Sequence, residues 1–164
     1  DRNGWTGMTL PFDPAAIDGE DFGEEEIVLE TDHESAIEHV RRTCSAVGFG
    51  FPVEFSPSDL LNEKVDADRD PYYVLGACNP AVADRALDAT GGDIGALFPC
   101  NMVIAQIEPG RQRVYHVSIM RIARLLGMVE EAETEEMESI IADTGEMVTE
   151  TLDRLADLDV ALEE

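Results

Sequence analysis

Two periods run through the apolar positions of this chain. Ile37, Val40, Cys44 and Val47 recur at helical spacing. Thr31-Asp32-His33-Glu34, just ahead of them, has the Ser/Thr-x-x-Glu form of a capping box, in which side chains satisfy free backbone donors. A helix is therefore predicted there, with Cys44 on its buried stripe as a core residue. Ile27-Val28-Leu29 before it reads as a short strand. Phe49, Phe51, Val53 and Phe55 alternate with Gly50, Pro52 and Glu54, the pattern of a half-buried strand. Pro52 sets that strand at an edge or a bulge, because proline cannot donate to a ladder. Ser56-Pro57-Ser58-Asp59 opens a short helix through Leu60 and Leu61, and Tyr73 to Cys78 is the next strand.

Asn79 then suits an N-cap, and Pro80 suits the first helical position, where a missing N–H costs nothing. Val82, Ala83, Ala86 and Leu87 form the inward face, and Thr90-Gly91-Gly92 ends the helix. Met102 to Ile107 and Val114 to Ile119 flank Glu108-Pro109-Gly110-Arg111, a hairpin turn. From Met137 to Leu158 an apolar stripe repeats every three or four residues, and the opposite face is nearly all Asp and Glu. This order predicts an α+β domain: a mainly antiparallel sheet with helices on one face and a long C-terminal helix. Residues 26–164 make that single domain. Residues 1–25 read as an acidic arm whose Trp5, Met8, Leu10 and Phe12 lie on the domain or on a neighbouring subunit. The second face of the sheet is left bare, and a homodimer is the simplest cover.

Charge narrows the function. Of 164 residues, 36 are acidic and 11 basic, a net −25, and Lys64 is the only lysine. Arginine in place of lysine, with acids throughout, is the composition of a salt-adapted cytoplasmic protein. Such a field repels a polyanion, and the basic cluster of Arg111, Arg113, Arg121 and Arg124 is local, so nucleic acid is excluded as a partner. No run approaches the roughly eighteen apolar residues of a membrane span, and no secretory signal is seen, so no membrane association is expected. Three cysteines do not make a disulfide framework and fit a reduced, intracellular protein.

Candidate chemistry gathers at two segments, "YYVLGACNPAVADRAL" (residues 72 to 87) and "FPCNMVI". Cys78 stands just before a helix start, where the dipole and free N–H groups favour thiolate, the form that attacks electrophiles and binds metals. Cys100 follows Pro99 at another element edge. Cys78, Asn79, Cys100 and Asn101 are the candidate ligand-binding residues, and Cys78, Cys100 and His116 the candidates for a soft metal. No Cys-x-x-Cys, phosphate loop, Gly-x-Ser-x-Gly elbow or His-Glu-x-x-His is present, and no cofactor is named by any motif. The leading reading is a module that binds a small ligand, a sulfur species such as a persulfide, or a soft metal through reduced thiols. A structural or protein-interaction dimerisation module is the alternative. A thiol-dependent enzyme comes third, since no base is placed to help.

Together with "GALFPCNMVI" and "VYHVSIMRIARLLG", the first segment resembles the family catalogued as domain of unknown function 302, in its haloarchaeal form. The likeness covers roughly residues 25 to 160, and the two Cys-Asn segments are its most specific part. It implies a fold similar to that of the TATA-binding protein, a curved antiparallel sheet with helices on one face, and a tendency to dimerise. The family's two cysteine segments fall on Gly76 to Pro80 and on Pro99 to Asn101. No established activity comes with the resemblance.

Overall fold

Two long helices lie across one face of a five-stranded antiparallel sheet, and that arrangement fixes where a site can form. The computed structural model describes residues 13–163, with side chains described as far as 157. Strands β1 (Glu25–Leu29), β2 (Gly50–Phe55), β3 (Tyr72–Cys78), β4 (Cys100–Glu108) and β5 (Arg111–His116) stand in the order β1-β5-β4-β3-β2. Helices α1 (His33–Val47) and α5 (Thr134–Glu163) pack on each other and on the sheet. Helix α2 (Pro57–Val65) joins the strands of the β2 edge. Helices α3 (Pro80–Ala89) and α4 (Ile119–Leu125) pack on the first half of α5. The expected sequence of strands and helices is present, with α4 as an addition. Trp5, Met8, Leu10 and Phe12 of the expected arm lie outside the described residues.

Three local readings shift. The cap of α1 is Asp32 rather than Thr31: Ser35 donates its N–H to Asp32 Oδ1 at 2.9 Å and its hydroxyl to Oδ2 at 2.7 Å. A carboxylate that accepts two bonds outcompetes the neighbouring hydroxyl for the cap. The strand expected from Val114 to Ile119 stops at His116, because Ser118 accepts the Arg121 N–H at 3.2 Å and caps α4. The alternating run at Phe49 to Phe55 does not keep one face. The β2–β3 register slips between Gly50 and Val53, as Pro52 requires. Phe49 and Phe51 therefore pack into the core, whereas Val53 and Phe55 are 56% and 48% exposed on the other side of the sheet.

Two apolar clusters fill the interior. One, under α1 and the second half of α5, holds Val40, Cys44, Leu75, Ile104, Val114 and Leu155. The other joins α3, α4 and the start of α5 through Ala86, Ile94, Met120, Met137 and Ile140. Cys44 is wholly buried in the first, as its stripe predicts. The seam between the clusters runs past the ends of β3 and β4, where the two Cys-Asn segments meet.

Candidate functional site

The seam is built by three chain turns. Helix α1 ends at Gly48, whose φ of 121° a side chain would resist, and Phe49 then drops into the interior, 8% exposed. Strand β3 ends at Cys78, and Asn79 turns the chain into α3. The Asn79 Oδ1 accepts the Val82 N–H at 3.1 Å, and its Nδ2 donates to the Gly48 carbonyl at 3.1 Å. One side chain thus caps α3 and ties it to the end of α1. The third turn carries Phe98 and Pro99, joined by a cis peptide bond, into Cys100 at the start of β4.

Strands β3 and β4 pair Ala77 with Cys100 and Gly76 with Asn101. The next pair would set Cys78 against Pro99, which has no N–H to give, so the ladder ends there. Gly76 makes this end possible. A Cβ on it would come within 2.6 Å of the Val53 carbonyl oxygen and 2.7 Å of Pro99 Cγ.

A cavity of about 310 Å³ opens at this place, and both Cys78 and Cys100 line it. Phe49, Val53, Val82, Ala83, Phe98 and Met120 give it mainly apolar walls, with Pro99 and Asn79 at its end. Burial pushes the Cys100 thiol up to about 12, and the neighbouring Cys78 adds to the effect. Cys44, in the core, is likewise pushed up to about 12 by burial.

Behind Cys100 lies a smaller cavity of about 80 Å³ that shares Phe49, Cys100, Met120 and Thr144 with the first. His116 and Glu25 line it, Cα partners on β5 and β1. His116 is 5% exposed, and its Nδ1 stands 3.0 Å from the Asn101 carbonyl oxygen. A carbonyl can only accept, so Nδ1 carries the proton and Nε2 presents a lone pair. Burial holds the ring below its ordinary 6.5 and keeps it neutral, although the Asn101 bond opposes this. Glu25 accepts the Thr149 hydroxyl at 3.2 Å through Oε1, while its buried Oε2 has no partner. Burial raises the Glu25 carboxyl above its ordinary 4.5.

Of the residues singled out from sequence, Cys78, Asn79 and Cys100 thus share the larger cavity, and Cys100 and His116 the smaller. Asn79 spends its side chain on the cap and the Gly48 tie. The Asn101 side chain is exposed, and only its carbonyl serves the region. Among the described residues no group of three or more His, Cys, Asp or Glu side chains is arranged to hold a metal ion. Phe49, Thr144 and Glu25 carried no sequence signal of a site: the first two sit on ordinary apolar stripes, and Glu25 is one of 36 acids.

An antiparallel sheet with helices on one face defines the class: an α+β domain, here with a half-open cavity at the strand ends. The chain belongs to the family described as "Domain of unknown function DUF302", which matches residues 25–155. It is similar to a solved structure titled as an uncharacterized conserved DUF302 protein from Bacillus stearothermophilus. The two are 25% identical with a TM-score of 0.68, over 80% of this chain and 97% of the other. Among curated proteins, none matches. No helix among the described residues is long and apolar enough to cross a membrane.

Proposed function

We propose that this protein is a small-ligand-binding module, and that its ligand lies against the reduced thiols of Cys78 and Cys100. The observation that carries the reading is that both cysteines line one cavity of about 310 Å³ with apolar walls. Ligand pockets start at about this size and combine apolar walls with few polar groups. A soft, polarisable thiol suits an apolar or sulfur-containing ligand better than a hard ionic one. Calorimetric titration with p-xylene, a small rigid apolar probe, tests it. Binding is expected in the wild type and is lost in Ala83→Phe, which fills the cavity. No binding to the wild type, or unchanged binding in that variant, contradicts the reading.

A second reading rests on a different surface. The sheet face away from the helices exposes Val53, Phe55, Tyr72 and Ile107, and Leu60, Leu61 and Val65 of α2 are exposed near its edge. Monomers seldom leave a large contiguous apolar patch in water. This face supports a two-fold homodimer. Light scattering in high salt is expected to give about twice the chain mass, and Phe55→Lys with Ile107→Lys is expected to return a monomer. A wild-type monomer at micromolar concentration rules the dimer out.

A further inference from the structure

The smaller cavity holds a histidine with an unused lone pair, a short step behind the thiol that both cavities share. His116 is 95% buried by its 5% exposure, its Nδ1–H is committed to Asn101, and Nε2 makes no hydrogen bond among the described residues. Among the described residues only Glu25 Oε2 is both buried and unpartnered, so the Nε2 lone pair opens onto accessible space, where water or a donating ligand can meet it. A space of about 80 Å³ takes a few waters or one small polar group. The walls that complete it, Ile119, Met120, Ile141 and Val148, are apolar and disfavour a full charge. Glu25, with an unpartnered buried oxygen, disfavours an anion in particular. Arg121, which also lines the cavity, donates to the Glu20 carbonyl at 3.3 Å and is the cationic side chain that would favour an anion.

We infer that the two cavities form one site for an amphiphilic small molecule, an apolar body with a single uncharged hydrogen-bond-donating head. The body lies in the larger cavity against Val82, Phe98 and Cys78, and the head passes Cys100 to donate to His116 Nε2. This rests on the reading of the larger cavity as a ligand site and names the ligand class. An alcohol or phenol has the required head. A hydrocarbon lacks it, an ether can only accept, and a carboxylate brings a charge that Glu25 repels.

Four matched probes separate these cases: 4-methylphenol, 4-methylanisole, p-xylene and 4-methylbenzoate, titrated calorimetrically into the full chain. The phenol is expected to bind about tenfold or more tighter than p-xylene, since one buried hydrogen bond separates them. The anisole should gain nothing over p-xylene, and the benzoate should bind weakest. His116→Phe should level phenol and p-xylene. The wild-type imidazole ¹⁵N spectrum supplies a second readout that does not depend on the folding of that variant. The His116 Nε2 resonance should move on adding 4-methylphenol and stay in place with p-xylene. Equal affinity for phenol and p-xylene, or an unmoved Nε2, overturns the inference while p-xylene binding leaves the cavity reading intact. Tighter binding of the benzoate overturns it in favour of Arg121. Binding of none of the four removes both.

Discussion

Asn79 shows how one side chain at the site serves structure rather than ligand. Its two hydrogen bonds, to the Val82 N–H and to the Gly48 carbonyl, hold α3 against the end of α1. Asn79→Ala is expected to cost about 1–2 kcal/mol in denaturant unfolding, the loss of a cap plus an unpaired carbonyl. Asn79→Asp should recover only the cap part, because a carboxylate cannot donate to Gly48. An unchanged midpoint in Asn79→Ala would show that neither bond matters. Glu25 gives a pH signature. Its carboxyl is raised above 4.5, with burial the largest cause, so as pH rises past 4.5 the folded state gives up this proton later than the unfolded chain does. Its contribution to stability is fully present below 4.5 and falls as pH rises through the raised value. Glu25→Gln keeps the shape and removes that loss. Its melting temperature is expected to exceed wild type at neutral pH, with the difference vanishing near pH 4. A variant that melts lower at neutral pH would mean that the Thr149 bond outweighs the burial.

At the scale of elements, the close of the β3–β4 ladder is the decisive feature. Gly76 has no room for a side chain between the Val53 carbonyl and Pro99. Gly76→Ala should therefore displace Pro99 and destabilise by about 1–3 kcal/mol, the usual cost of overpacking. A neutral substitution, measured by denaturant midpoint, would contradict the tight contact. This close was half legible in the sequence. The two Cys-Asn segments stand out because a cysteine, an asparagine and a proline coincide at each edge. Their meeting depends on the register of Ala77 with Cys100, which no local pattern encodes. Helix α4 was hidden because Val114 to Ile119 continues the apolar run of β5, and one serine cap decides where it breaks. The alternation from Phe49 to Phe55 is a true strand signal, but a bulge at Pro52 turns its second half to the far face. Periodicity sees the strand and misses the switch. The C-terminal stripe was the most legible element, since its period holds for several turns and α5 buries Met137, Ile140, Val148, Leu152 and Leu155 along it.

For the whole molecule, a net charge of −25 sets the terms of stability. Arg85 draws α3 to α5 through Glu136 at 2.6 Å and Asp143 at 2.7 Å, and Arg124 reaches Glu138 at 2.7 Å. Pairs this exposed contribute little each, and the surplus of carboxylates is left to repel. Molar salt shortens the screening length to about 3 Å and should relieve that repulsion more than it weakens the pairs. The melting temperature is expected to climb between about 0.1 and 2 M potassium chloride. A flat profile would contradict adaptation to salt.

Cys78 and Cys100 line one cavity, and timed alkylation of the three thiols tests most directly whether a ligand enters it. With iodoacetamide at pH 8 and mass spectrometry, Cys78 should be modified first. Cys100 should follow slowly, its thiol pushed up to about 12 by burial, and Cys44 should react only on unfolding. Saturating 4-methylphenol should slow the Cys78 and Cys100 reactions together and leave the global stability-limited reaction of Cys44 as the internal reference. Labelling of Cys78 at the same rate with and without every probe that binds, or labelling of all three thiols at one rate, would contradict the shared cavity.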